Sequence, residues 1–148
     1  MAEMIRTGGC YCEAVTYEVK GAMRDVVACH CQQCRKQSGH YYAATNAKKA
    51  DVTIKGGENI TVFRASDSAS RHFCGICGSV LFWIADDSET MSILAGSVNE
   101  PTGLKLQAHI YCTDKGDYYQ LDDGLPQFPE LTENSDCSVI GEQYVCNH

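Results

Sequence analysis

The sequence predicts a mainly β, single-domain protein built from hairpins and small antiparallel sheets, and three observations carry that expectation. Period-two alternation and short β-branched or aromatic runs recur along most of the chain. No window of a dozen residues sustains a helical apolar stripe. The length of 148 residues suits one ordinary domain with a single continuous core.

Val15, Tyr17 and Val19 alternate with Thr16, Glu18 and Lys20, the pattern of a half-buried strand. Gln32 to Ser38 is the one short helical piece, with Gly39 placed to end it as a left-handed cap. Val52-Thr53-Ile54 and Ile60-Thr61-Val62 flank Gly56-Gly57 and are expected to form a hairpin. Val80 to Ile84 and Met91 to Leu94 form a second one across the polar turn Asp86 to Glu89. Leu104, Leu106, Ala108 and Ile110 are assigned to a core face, and Lys105, Gln107, His109 and Tyr111 to solvent or a cleft. The domain is expected over residues 1–130, with 131–148, rich in Ser, Asn, Asp and Glu, as a C-terminal tail of coil.

The formal charge of −7 arises from 19 acidic and 12 scattered basic residues, so no electrostatic footprint for a phosphate backbone is present and nucleic acid is not expected as a partner. The amino terminus lacks the basic start and apolar run of a signal peptide, and no stretch reaches the ~18 apolar residues of a membrane span. A cytoplasmic protein without a membrane partner is the resulting expectation. Ten cysteines in such a chain point to metal ligation, because a reducing compartment does not sustain a disulfide framework.

Seven of the ten cysteines cluster: Cys10-Tyr11-Cys12, Cys29-His30-Cys31-Gln32-Gln33-Cys34 and Cys74-Gly75-Ile76-Cys77-Gly78, while Cys112, Cys137 and Cys146 stand apart. In extended backbone, residues two apart share a face, so each Cys-x-Cys pair can offer two sulfurs to one ion. The Cys74–Cys77 turn does the same as a zinc knuckle, with Gly75 and Gly78 letting backbone amides approach the sulfurs. Four thiolates make a closed structural site, and the three that remain leave a coordination position open, which is the arithmetic of a zinc that does chemistry. Spacing leaves open whether Cys10 and Cys12 or Cys29 and Cys31 join Cys74 and Cys77.

With these motifs, with His109-Ile110-Tyr111 and with Asp123-Gly124-Leu125-Pro126-Gln127-Phe128, the chain resembles the glutathione-dependent formaldehyde-activating enzyme family, which includes the centromere protein V domain. The resemblance runs over residues 6–130. It implies a zinc-binding β-tent fold and two Zn²⁺ ions, one structural on Cys10, Cys12, Cys74 and Cys77 and one catalytic on Cys29, Cys31 and Cys34. The family often has glycine after the first Cys-x-Cys, where this chain has Glu13.

The implied activity is that of a carbon–sulfur lyase, forming or cleaving S-hydroxymethylglutathione from a small thiol such as glutathione and a small aldehyde, formaldehyde. Two rivals are a non-catalytic zinc module that binds a thiol or a protein, and a redox enzyme resembling the zinc-containing methionine sulfoxide reductases. The latter needs a low-pKa cysteine outside the metal sites, for which only Cys112, Cys137 and Cys146 remain. His30, between two ligands on an extended segment, is expected to face away from them, and Arg35 and Lys36 to be solvated charges.

Overall fold

The computed structural model describes residues 4–131, 136–140 and 143–147. It is mainly β, as the alternation requires. Strands β1 (Ile5–Gly9), β2 (Thr16–Lys20) and β5 (Val52–Lys55) form a three-stranded antiparallel sheet in the order β1-β2-β5. A seven-stranded sheet in the order β10-β3-β4-β9-β8-β7-β6 contains β3 (Val26–Cys29), β4 (Tyr42–Lys48), β6 (Ile60–Arg64), β7 (Ala69–Cys74), β8 (Val80–Ala85), β9 (Thr90–Leu94) and β10 (Leu106–Ile110). Only the β10–β3 pairing in it is parallel. Helix α1 (Gln32–Ser38) follows β3, and Gly39 ends it at φ 86 as a left-handed cap whose amide reaches Arg35 O.

Val15, Tyr17 and Val19 are buried as their alternation predicts, and they pack with Leu81, Phe82, Met91 and Ile93 in the principal core between the sheets. Tyr17 meets Phe82 edge to face with ring centroids 5.4 Å apart, the arrangement that the ring quadrupoles favour. The β8–β9 hairpin forms as expected, with Phe82 opposite Ile93.

Three expectations change. β5 and β6 do not pair: β5 joins β2 and β6 joins β7, so the Gly56-Gly57 turn carries the chain from one sheet to the other. Around β10 the expected division holds for Leu104, packed against the core, and exposed Lys105, and fails at His109, which is buried while Leu106, Ala108 and Ile110 are only half-buried. Polar partners waiting for His109 outweigh the apolar alternation. Within the segment read as coil, β11 (Asp136–Ile140) pairs antiparallel with β12 (Gln143–Asn147), setting Cys137 opposite Cys146. Among the described residues no helix is long and apolar enough to cross a membrane.

Candidate metal centres

The sulfurs of Cys10, Cys12, Cys74 and Cys77 all lie within 4.8 Å of one another. Cys10 and Cys12 follow β1 in a tight turn rather than in extended strand, with the Cys10 amide bonded to Val15 O and the Glu13 amide to Cys10 O. That turn puts Glu13 at φ 66, the left-handed conformation in which glycine is free of strain. The Cys10–Cys12 and Cys12–Cys74 sulfur separations are 3.6 and 3.8 Å. A tetrahedron with metal–sulfur bonds of about 2.3 Å has edges of about 3.8 Å, so the cage already has the size of a tetrathiolate site.

Cys74 ends β7, and the turn after it aims the amides of Ile76 and Cys77 at the Cys74 sulfur at 3.4 and 3.5 Å. Gly78 at φ 80 makes the turn possible, and its amide bonds to Cys74 O. At Gly75 a Cβ would lie 2.6 Å from Thr61 Oγ1, so this close approach requires glycine. The Ser79 hydroxyl and amide pull the Cys77 thiol down to about 5. The cluster ties the end of β1 to the end of β7 and so joins the two sheets.

Cys29, Cys31 and Cys34 form the second cluster, again with sulfurs within 4.8 Å of one another. Cys29 ends β3, Cys31 caps α1 in extended conformation, and Cys34 lies one turn into the helix. The Cys31 sulfur accepts the Cys34 amide at 3.2 Å, which makes it a sulfur version of the oxygen cap at a helix start. Hydrogen bonds from Cys29 and Cys34 pull Cys31 far below the usual thiol range, and the same pairing pushes Cys29 upward. A divalent ion between the sulfurs would let all three ionise. Both donor sets therefore fit a metal ion and are consistent with zinc.

Arg71 on β7 is 2% exposed and reaches the same cluster. Its Nη2 donates to the Cys34 sulfur at 3.3 Å, its Nε donates to Gln33 Oε1 at 2.9 Å, and its guanidinium lies 5.0 Å from the Tyr42 ring centroid. Tyr42 is buried, and burial pushes its phenol upward.

On the other side of the Cys29–Cys31 segment a polar chain runs through the core. His30 and His109 are 0% and 1% exposed, and His30 Nε2 lies 2.9 Å from His109 Nδ1. His109 Nε2 lies 2.7 Å from an Asp123 carboxylate oxygen, and His30 Nδ1 meets the Tyr119 hydroxyl. A carboxylate only accepts, so with both rings neutral each imidazole carries its proton on Nε2 and the Tyr119 hydroxyl donates to His30. Burial, and then the neighbouring His109, push the His30 pKa down to about 4. The 111–130 segment supplies Tyr119 and Asp123 and is fastened to β10 by His109 N–Pro126 O, Phe128 N–His109 O and Tyr111 N–Glu130 O bonds.

The glutathione-dependent formaldehyde-activating enzyme family model matches residues 5–114, which is 110 of the 148 residues. The chain belongs to this family. It is also similar to a Rhodobacter sphaeroides protein of known crystal structure, at 26% identity and a TM-score of 0.55, over 66% of this chain and 91% of that one.

The two clusters thus bring together the sets that the resemblance implied, Cys10 and Cys12 with Cys74 and Cys77. Cys112 belongs to neither, and Cys137 and Cys146 lie where side chains are not described. His30 does not group with the sulfurs, and its ring meets His109 and Tyr119 instead. Arg35 is only half-exposed, and its Nε is buried without a hydrogen-bond partner, so it is not the fully solvated charge expected. Sequence reasoning passed over Arg71 and Tyr119. For Arg71 a signal existed, a lone charge within a strand three residues before a presumed ligand; for Tyr119 there was none.

Proposed function

We propose that this chain is a zinc-dependent carbon–sulfur lyase that forms or cleaves S-hydroxymethylglutathione, with glutathione and formaldehyde as its small-molecule partners. The observation that carries the reading is the donor count: among the described residues Cys29, Cys31 and Cys34 group with no fourth His, Cys, Asp or Glu. Three protein ligands are the number expected where a fourth position must admit a substrate. Zinc held by these residues would supply a positive centre that deprotonates an incoming thiol and retains it as a thiolate at neutral pH.

The chain's part is to build and hold that donor set. Cys31 is held by the Cys34 amide and Cys34 by Arg71, so two of the three sulfurs are oriented before any metal arrives. The four-cysteine cluster ties the small sheet to the seven-stranded sheet, whose β3 and β7 carry Cys29 and Arg71, and residues 1–130 carry all seven clustered cysteines. In the reaction the thiol sulfur bonds to the aldehyde carbon, the carbonyl π bond breaks, and the thiol proton finishes on oxygen. The reverse breaks the carbon–sulfur bond and returns thiol and aldehyde.

The test measures zinc per chain, glutathione binding and the rate of S-hydroxymethylglutathione formation for the parent and for Cys31→Ser. Two zinc ions and thiol-dependent acceleration in the parent, with one zinc and neither property in the variant, are expected. Thiol binding without acceleration over the unaided addition would instead make the protein a thiol carrier. One zinc in both, with no thiol bound, would refute thiol handling altogether.

A further inference from the structure

Arg71 presents a charge problem that the donor set alone does not resolve. The residue is 2% exposed, yet among the described residues the ion pairs are Arg64 with Asp86 and His109 with Asp123, and neither involves Arg71. Its polar contacts are the neutral Gln33 amide oxygen at 2.9 Å and the Cys34 sulfur at 3.3 Å, and Nη1 is buried with no hydrogen-bond partner. A buried cation is retained only where an anion compensates it, because a low-dielectric surrounding penalises an unpaired charge by far more than one hydrogen bond returns. Among the described residues the Cys34 thiol is the anion-forming group to which Arg71 donates a hydrogen bond, while Tyr42, whose phenol is pushed upward by burial, meets the guanidinium with its ring.

We infer that Arg71 is the positioning and charge-compensating residue of the three-cysteine centre, fixing the direction of the Cys34 sulfur and cancelling the negative charge of the loaded site. Three thiolates around a divalent ion carry a formal charge of about −1. The guanidinium brings the assembly to neutrality, so an incoming thiolate builds up one negative charge there instead of two. The N–H donor also fixes the direction of the Cys34 sulfur, so this ligand need not be reoriented when the ion binds. Gln33 Oε1 accepts the Arg71 Nε hydrogen bond from a position one residue before Cys34 on α1, and its own Nε2 donates to Ala65 O at 3.1 Å. The fork of Arg71 is therefore aimed from the helix that carries Cys34. A lysine in its place keeps the charge and loses the geometry.

This inference rests on the reading of Cys29, Cys31 and Cys34 as a metal centre. It is tested on full-length protein by chelator competition for zinc and by the sulfur-to-metal charge-transfer bands of the cobalt(II) form, with Cys31→Ser reporting the four-cysteine site alone. Arg71→Met is expected to weaken the three-cysteine site by about 10–100-fold and to shift the charge-transfer bands, leaving the four-cysteine site as in the parent. Arg71→Lys is expected to recover part of that affinity. Gln33→Ala, a change at an exposed helix position, is expected to cost about 2–10-fold.

Parent-like affinity and spectra in Arg71→Met would overturn the inference while leaving the metal centre intact. If that variant does not fold, parent-like behaviour of both Arg71→Lys and Gln33→Ala overturns it equally. A parent that takes no second metal ion removes the centre and this inference together. Weakened metal binding in the variants, combined with no glutathione binding by the parent, supports the role of Arg71 and removes the thiol chemistry.

Discussion

Acidification tests the buried histidine chain directly. His30 has no exposed surface, and its pKa is pushed down to about 4 from the ordinary 6.5, first by burial and then by His109. Between those values the unfolded chain holds the proton and the folded chain does not, so stability falls as the pH falls. At about 1.4 kcal/mol per pH unit the full gap is worth about 3 kcal/mol, of which about 2 kcal/mol is lost between pH 7 and pH 5. Urea unfolding of parent and His30→Gln, both prepared with zinc, across that range isolates the effect, since the variant keeps all seven clustered cysteines and their acid sensitivity. The parent is expected to lose about 2 kcal/mol more than the variant. An NMR titration of the His30 ring gives the same answer independently. A His30 that titrates near 6.5, or equal pH slopes in the two proteins, would refute the account of a neutral imidazole held in the core.

Three further outcomes follow from the geometry. Phe82→Ala, at a position with no exposure and facing Tyr17, is expected to cost about 3–5 kcal/mol in denaturant unfolding while zinc content stays unchanged. Cys77→Ser is expected to lower the melting temperature much more than Cys31→Ser, by more than about 4 kcal/mol of stability, because the four-cysteine cluster joins the sheets; equal melting shifts would contradict that division. Burial pushes the Cys112 thiol up, so iodoacetamide should modify it more slowly than a free model thiol, with no loss of the proposed thiol–aldehyde activity; fast modification with inactivation would restore the redox reading.

Local features proved legible from the sequence. Helix α1 begins and ends where Gln32, Ser38 and Gly39 placed it, because caps and helical turns depend on neighbours a few residues away. The Cys74–Cys77 knuckle and the inward set of Val15, Tyr17 and Val19 were readable for the same reason. Strand pairing was not. Alternation states which face of a strand is apolar and leaves its neighbour undetermined, so β5 and β6 looked like one hairpin although they belong to different sheets. His109 misled in another way, since a polar residue on an alternating strand reads as solvent-facing until its partners are known.

The sequence by itself determined that the protein is mainly β and that seven clustered cysteines make a set of four and a set of three, because ligand spacing within a turn or a strand is set by covalent geometry. Tertiary structure alone decided which pair completes which set: the Cys12 and Cys74 sulfurs, 62 residues apart, come together only when the two sheets pack. It also decided the surroundings of the three-cysteine set. Arg71 reaches Cys34 across 37 residues and His30 reaches His109 across 79. Those approaches are paid for by burial of the whole core, and no local pattern encodes them.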